Sequence, residues 1–180
     1  MKGSRAAVRY AKAFKQLSVE NNLLDTVIDD MKFVLSTIGS SRDLELMLRS
    51  PLIKMEKKRA VVKAVFEGKV HANSLNFLDH IVQNGRENIL EAIAESFINQ
   101  YNEIKNIAKV SVTTSQAMNA DLKESLLASL KSKYNFSQIE LEEKVDADLI
   151  GGMVLRIGDK QIDASIRRQL NDIKQELVHA

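Results

Sequence analysis

The side chains that most often do chemistry are few in this chain and lie far apart in its sequence. There is no cysteine, so neither thiolate catalysis nor a disulfide framework is available. The histidines are His71, His80 and His179, and none of them stands three or four residues from another. A pair at that spacing would be needed to place two metal ligands on one helix face. We therefore expect surface histidines, no metal site and no catalytic residue.

Three glycines near the C-terminus are the next candidates, because glycine-rich loops can hold phosphate groups. Gly151-Gly152 and Gly158 are not followed by the Gly-Lys-Ser/Thr of a P-loop, and they do not open a helix as a dinucleotide-binding fingerprint does. They flank Met153–Ile157, whose alternation is typical of a strand. The glycine pair predicts a bulge or a close backbone approach, and Gly158-Asp159 predicts a hairpin turn. No cofactor is expected.

The charged residues that follow the hairpin have simple structural interpretations. Asp163 stands where a helix N-cap belongs, ahead of an apolar stripe in the last helix. Arg156 alternates with apolar neighbours, so its side chain points to the other face of the strand. A solvated face and a partner contact both fit Arg156. The stripe of the last helix consists of Ile166, Leu170, Ile173 and Leu177.

A short basic run, Lys54–Arg59, could bind nucleic acid. It is interrupted by Glu56 and has no interleaved aromatic residue, so a solvated helix start fits it better. The 180-residue chain carries 26 basic and 24 acidic residues, a net charge of +2, whereas general polyanion binders are usually more basic. A nucleic-acid-binding helical protein remains the alternative function. A small transferase would need polar groups converging on a pocket, and the sequence contains no such cluster.

The hydrophobic periodicity changes near Asn106 and divides the chain into two parts. Residues 5–104 show six stretches of helical period, separated by breaks such as Ser50-Pro51 and Asn84-Gly85. Beyond Asn106, stretches in which apolar and polar residues alternate lie before and after one helical stretch. We expect an α+β protein with an N-terminal six-helix bundle over 1–105 and a small β-α-β-β-α domain over 106–180.

Neither a membrane span nor a targeting segment is expected. A spanning helix needs about 18 or more consecutive apolar residues, and the chain has no such run. The first residues enter a helical pattern almost at once, which leaves no room for a signal or transit peptide.

The first helix could offer a binding surface of its own. Tyr10 and Phe14 stand among small residues that include Ala6 and Ala13. Small residues leave shallow grooves that can hold an inserted helix, with aromatic residues at the rim. Close packing inside the bundle explains the same alanines equally well.

Three segments together resemble a known family. They are RYAKAF at Arg9–Phe14, the NGR turn at Asn84–Arg86, and the run GGMVLRIGDKQIDASIRRQL from Gly151. They resemble the delta subunits of bacterial F-type ATP synthases, relatives of the mitochondrial oligomycin-sensitivity-conferring protein. The likeness in length and organisation extends over essentially the whole chain.

The resemblance implies a non-catalytic stator connector. Its helical domain would bind the N-terminal helix of an alpha subunit at the crown of the catalytic head. The head would then be held still while the rotor turns, which couples proton-driven rotation to ATP synthesis. The groove would be formed by the first and fifth helices, with Ala6, Tyr10, Ala13 and Phe14 from the first and Leu78, Ile81 and Val82 from the fifth.

The C-terminal domain would bind the b subunits of the peripheral stalk. The segment from Gly151 through the last helix would carry this contact, with Arg156 and Arg168 as candidates, while Gly151, Gly152, Gly158 and Asp163 would be structural. A single copy per complex is implied, peripheral on the cytoplasmic side of the bacterial inner membrane and attached only through the complex. No nucleic acid partner and no cofactor are implied.

Overall fold

The computed structural model describes residues 5–134, 136–158 and 160–179. Within these ranges the chain forms eight α-helices, one 3-10 turn and a four-stranded sheet, so the fold is α+β as expected. The chain separates into two compact units, and the division lies between Tyr101 and Asn102 in the last part of the sixth helix. No helix in the described ranges has both the length and the apolar composition needed to cross a membrane.

Six helices make up the first unit, and all six contribute to one buried apolar cluster. Phe66, Ile81 and Phe97 are completely buried in this cluster. Gly68 and Gly85 adopt positive φ angles of 74° and 64° just after α4 and α5, as is common where helices end. The helices are α1 Arg5–Glu20, α2 Leu24–Ser40, α3 Arg42–Arg49, α4 Met55–Phe66, α5 Ala72–Gln83 and α6 Leu90–Lys105, the last preceded by the 3-10 turn Glu87–Ile89.

A buried ion pair links three elements of this unit. Lys58 of α4 is only 3% exposed. Its Nζ donates hydrogen bonds to the carbonyl oxygen of Leu48, 3.0 Å away at the end of α3, and to Oε1 of Glu87, 2.6 Å away. The second carboxylate oxygen of Glu87 is buried and accepts no hydrogen bond from the described residues. Among the described residues, the Lys58 ammonium is therefore the one side-chain partner of the Glu87 carboxylate.

The second unit is a mixed sheet with strand order β2-β1-β3-β4. β1 pairs in parallel with β2 and antiparallel with β3. Parallel neighbours need a crossover, and α7 supplies it. Leu130 of α7 packs with Val110, Val112 and Leu155 of the sheet. The elements are β1 Ile107–Thr114, α7 Ala120–Tyr134, β2 Gln138–Val145, β3 Gly152–Ile157, β4 Lys160–Ser165 and α8 Ile166–His179.

The order of this unit is β-α-β-β-β-α, one strand more than the predicted β-α-β-β-α order, which treated the short return arm of the hairpin as part of its third strand. The return arm of the hairpin is a full strand, β4, paired with β3 from Gly152↔Ser165 to Ile157↔Lys160. The Ile157↔Lys160 pairing leaves room for the predicted two-residue turn. Gly158 in that turn has a φ of 55°, and Asp159 lies outside the described residues.

Asp163 lies in β4 and does not cap the last helix, which corrects the expected N-cap. Its Oδ1 accepts the backbone N–H of Ser165 at 2.9 Å. Ser165 in turn accepts the N–H of Arg168 on its Oγ at 3.3 Å, which is the bond an N-cap makes. Hydrogen bonds from Ser165 lower the pKa of the Asp163 carboxyl, and the bond from the Ser165 side chain has the larger effect. Asp163 therefore supports the cap residue.

Candidate functional site

Titratable groups in the described residues do not assemble into a metal site. No group of three His, Cys, Asp or Glu side chains within those ranges could hold a metal ion. The clearest perturbation is a surface ion pair, in which Arg59 donates to both oxygens of Asp79 at 2.6 and 2.8 Å. These hydrogen bonds raise the pKa of Arg59 and lower that of Asp79. The pair joins α4 to α5 and has a structural role.

A groove of about 320 Å³ opens between α1, α2 and α5 in the first unit. The rings of Phe14 and Phe77 stack at its floor, with centroids 3.9 Å apart and planes 3° apart. Leu17, which is 54% exposed, stands at its edge. The lining residues are Phe14, Leu17 and Ser18 of α1, Asn21 and Leu23 of the following turn, Val27 of α2, and Asn73, Asn76, Phe77 and His80 of α5.

α1 divides its small residues between the core and the groove side. Ala7 and Ala11 are completely buried, so these alanines serve close helix packing. Ala6 and Tyr10 are half-buried, and Ala13 is exposed. The helical period places these three on one stripe with Leu17, beside the face that carries Phe14. Of the four residues expected from α1, Phe14 lines the groove directly and the other three lie on the stripe that leads to it.

The residues expected from α5 do not line this groove. Leu78, Ile81 and Val82 are buried in the shared core of the first unit, with at most 1% of their surface exposed. They form the apolar stripe of α5, and an apolar stripe packs against the core first. The adjacent face of α5 supplies Asn73, Asn76, Phe77 and His80 instead. Phe77 is the one apolar residue on that face. An isolated aromatic residue on an otherwise polar helix face was the feature of the sequence that could have indicated a groove residue.

The groove combines an apolar floor with a polar rim. Stacked rings and Leu17 supply the apolar surface, while amides of Asn73 and Asn76 and the imidazole of His80 supply hydrogen-bonding groups. This combination fits an amphipathic helix, whose apolar face enters a groove while its polar edges meet the rim. The hydroxyl in its lining, that of Ser18, donates to the backbone carbonyl of Phe14 at 2.7 Å, so the groove suits binding better than nucleophilic catalysis.

The second unit presents an exposed apolar stripe on α8. Ile166, Leu170 and Ile173 follow helical spacing and are 40%, 53% and 53% exposed. The side chain of Leu177 lies outside the described part of the chain. Ile150, which is 67% exposed, lies in the loop before β3, and the carbonyl of the next residue, Gly151, accepts the Ile166 N–H at 3.1 Å. The stripe therefore has an apolar neighbour at its N-terminal end.

The two candidate arginines lie away from this stripe. The helical period places Arg168 on the opposite side of α8 from Leu170, with its Nε 3.7 Å from Asp172. Arg156 is exposed on β3, between Ser111 of β1 and Gln161 of β4 on the polar face of the sheet. Each arginine belongs to a polar surface of the second unit.

Gly152 packs the start of β3 directly against the end of β4. Its φ is 79°, and a Cβ added there would lie 2.3 Å from the carbonyl oxygen of Ala164 and 3.0 Å from Cα of Ser165. Both are backbone atoms that cannot turn away. This close approach joins the hairpin to the residue that caps α8, and no side chain larger than hydrogen fits.

Each unit presents an exposed apolar surface, which is typical of proteins that bind other chains. A family model for the ATP synthase delta (OSCP) subunit matches residues 6–177. The chain is 37% identical over 177 residues to the ATP synthase subunit delta of Christiangramia forsetii, covering 98% of this chain and 95% of the relative. It is 36% identical to that of Cytophaga hutchinsonii, covering 98% and 96%. The chain therefore belongs to the ATP synthase delta (OSCP) family.

Family membership confirms the resemblance carried by the three sequence segments. The chain is a structural, non-catalytic subunit of the ATP synthase and a component of its stator. The nucleic-acid-binding alternative has no support among these relatives. A chain in the mitochondrial ATP synthase hexamer of Toxoplasma gondii has the same fold, with a TM-score of 0.77, 20% identity, and coverage of 96% of this chain and 97% of that one.

Proposed function

We propose that this subunit connects the peripheral stalk to the alpha subunits of the catalytic head. Residues 1–105 form a six-helix bundle that binds the head, and residues 106–180 bind the b subunits of the stalk. A static connection of this kind holds the head against rotor torque, so that proton-driven rotation is coupled to ATP synthesis. A single copy serves each complex, held through the other subunits at the cytoplasmic side of the bacterial inner membrane. The observation that carries the proposal is the pair of exposed apolar surfaces, one in each unit.

The groove between α1 and α5 is the proposed site for the N-terminal helix of an alpha subunit. Its floor is the Phe14–Phe77 stack, and its edge is Leu17. Aromatic floors are strong anchors because they bury a large area with few rotatable bonds. The stripe of Ala6, Tyr10 and Ala13 extends the surface along α1, where small side chains allow a second helix to approach closely.

Replacing Leu17 by aspartate is expected to weaken binding of a synthetic alpha-subunit N-terminal peptide by at least about tenfold. The substitution removes apolar contact at the groove edge and places a charge beside the aromatic floor. Isothermal titration calorimetry with the full-length protein measures the affinity. Circular dichroism of the same samples reports whether the helices stay folded.

Val19→Asp is the matched control for this experiment. Val19 lies on the same helix with 49% exposure, close to the 54% of Leu17, but does not line the groove. Its variant should bind within about twofold of the wild type, since it changes charge equally without touching the proposed site. Equal weakening by both substitutions, or no binding by the folded wild-type protein, would remove the groove from the proposal.

The stalk contact is proposed to use the apolar stripe of α8. Leu170→Asp is expected to reduce affinity for a soluble b-subunit fragment by at least about tenfold, because it places a charge in the middle of the stripe. Gln175→Asp changes an exposed position on the opposite side of the helix and should have little effect. Surface plasmon resonance with the immobilised fragment gives both affinities.

Arg168→Ala and Arg156→Ala test the alternative that the polar surfaces carry the stalk contact. A strong loss with either arginine variant, together with normal binding by Leu170→Asp, would transfer the contact from the stripe to that arginine. Loss with Leu170→Asp alone supports the stripe.

A further inference from the structure

One buried carboxylate of α2 is bonded to two residues at the start of α5. Asp30 is 8% exposed. Its Oδ2 accepts the backbone N–H of His71 at 3.0 Å and the hydroxyl of Ser74 at 2.5 Å. His71 is the N-cap of α5, and Ser74 lies in its first turn and is completely buried. A carboxylate at this end of a helix also interacts favourably with the helix dipole.

The same contacts lead directly to the wall of the groove. Nδ1 of His71 accepts the N–H of Asn73 at 3.2 Å, and Asn73 lines the groove. On the side of α2, Val27 also lines the groove and precedes Asp30 by nearly one helical turn. α2 thus supplies part of the groove lining and, through Asp30, the attachment of the α5 wall.

We propose that Asp30 is a positioning residue for partner binding, although it does not line the groove. It fixes the first turn of α5, and with it the wall formed by Asn73 and Asn76, at the distance from α1 that an inserted helix requires. This inference rests on the proposed function of the groove. The energetic reason is preorganisation, because a groove that is formed only part of the time binds with an affinity reduced by that fraction.

The test compares Asp30→Ala with Asp29→Ala in the full-length protein, with the alpha-subunit N-terminal peptide as the probe. Both variants lose one negative charge from adjacent positions of α2, but Asp29 is exposed. Asp30→Ala should bind the peptide about tenfold more weakly, because the competent groove is populated less. Asp29→Ala should bind within about twofold of the wild type, since it leaves the α5 attachment intact.

Two further readouts separate positioning from general damage to the fold. Asp30→Asn keeps an oxygen that can accept the His71 N–H, so it should recover part of the affinity, to within about threefold of the wild type. In Asp30→Ala, amide hydrogen exchange should accelerate in the first turn of α5 and remain unchanged in α6. Affinity for the b-subunit fragment should not change in either variant.

The outcomes also distinguish failure of this inference from failure of the groove itself. If the wild-type protein does not bind the peptide, the groove assignment is wrong and the inference falls with it. If the wild type binds and a folded Asp30→Ala variant binds equally well, Asp30 is structural only and the inference alone is overturned. Should Asp30→Ala not fold, Ser74→Ala, which removes one of the two contacts to Asp30, takes its place, and an affinity equal to that of Asp29→Ala overturns the inference.

Discussion

Lys58→Met is expected to destabilise the helical unit by about 3–5 kcal/mol, because it leaves the Glu87 carboxylate buried without its cation. Lys58 and Glu87 have side chains only 4% and 14% exposed, so water does little to screen or solvate the remaining charge. The carbonyl of Leu48 also loses its hydrogen bond from Nζ. Urea denaturation followed by circular dichroism at 222 nm, where α1–α6 dominate the signal, measures the loss.

Lys63→Met is the matched control on the same helix. Lys63 pairs with Glu67 at 3.6 Å, but the two side chains are 66% and 59% exposed. Such surface pairs are worth about 0–1 kcal/mol, so this variant should unfold near the wild-type midpoint. The double variant Lys58→Met/Glu87→Leu removes both buried charges and should recover most of the stability. A small loss for Lys58→Met, or a double variant that is less stable than Lys58→Met itself, would contradict a charge-pairing role.

The locations of the helices could be predicted because their signals are local. Helical periodicity identified six helical stretches in 5–104, and the structure has six helices in α1–α6. The position of the groove could not be predicted in the same way. Leu17 and Leu78 are chemically the same, yet one is 54% exposed and the other 1%. Which of two neighbouring helix faces meets the core depends on the other helices, and a single sequence does not contain that arrangement.

Long-range polar contacts were equally hidden in the sequence. Lys58 lies in the basic run that was predicted to be a solvated helix start, but it is buried against Glu87. Asp30 looks like any acidic residue of an amphipathic helix until α5 is packed beside it. The predicted cap residue of α8 was wrong for a local reason. Asp163 and Ser165 stand two positions apart, and both residue types are common N-caps. Because β4 continues to Ser165, Asp163 lies inside the strand and Ser165 is the residue that caps α8.

Gly152→Ala is expected to destabilise the second unit by about 3 kcal/mol, the sum of a strained backbone and a steric clash. The φ of 79° lies in a region that residues with a Cβ rarely adopt. The new methyl would lie 2.3 Å from the carbonyl oxygen of Ala164, so β3 and β4 would have to separate near Ser165. Hydrogen exchange resolved by mass spectrometry can follow the two units separately. Peptides from β1 and β3 should exchange faster, while peptides from α2 and α6 should not change.

Gly158→Ala separates the strain from the clash, because it lies at the other end of the same strand. Gly158 has a φ of 55°, but a Cβ there would meet no atom within 4 Å. Its alanine variant should therefore show only the backbone term, about 1–2 kcal/mol. The loss in Gly152→Ala beyond that value measures how tightly the hairpin is packed against the start of α8. Equal effects from the two substitutions would mean that β4 yields easily at Ala164.

Since Ser165 caps α8, the larger loss at Gly152 should also weaken binding of the b-subunit fragment, whereas Gly158→Ala should leave that binding intact.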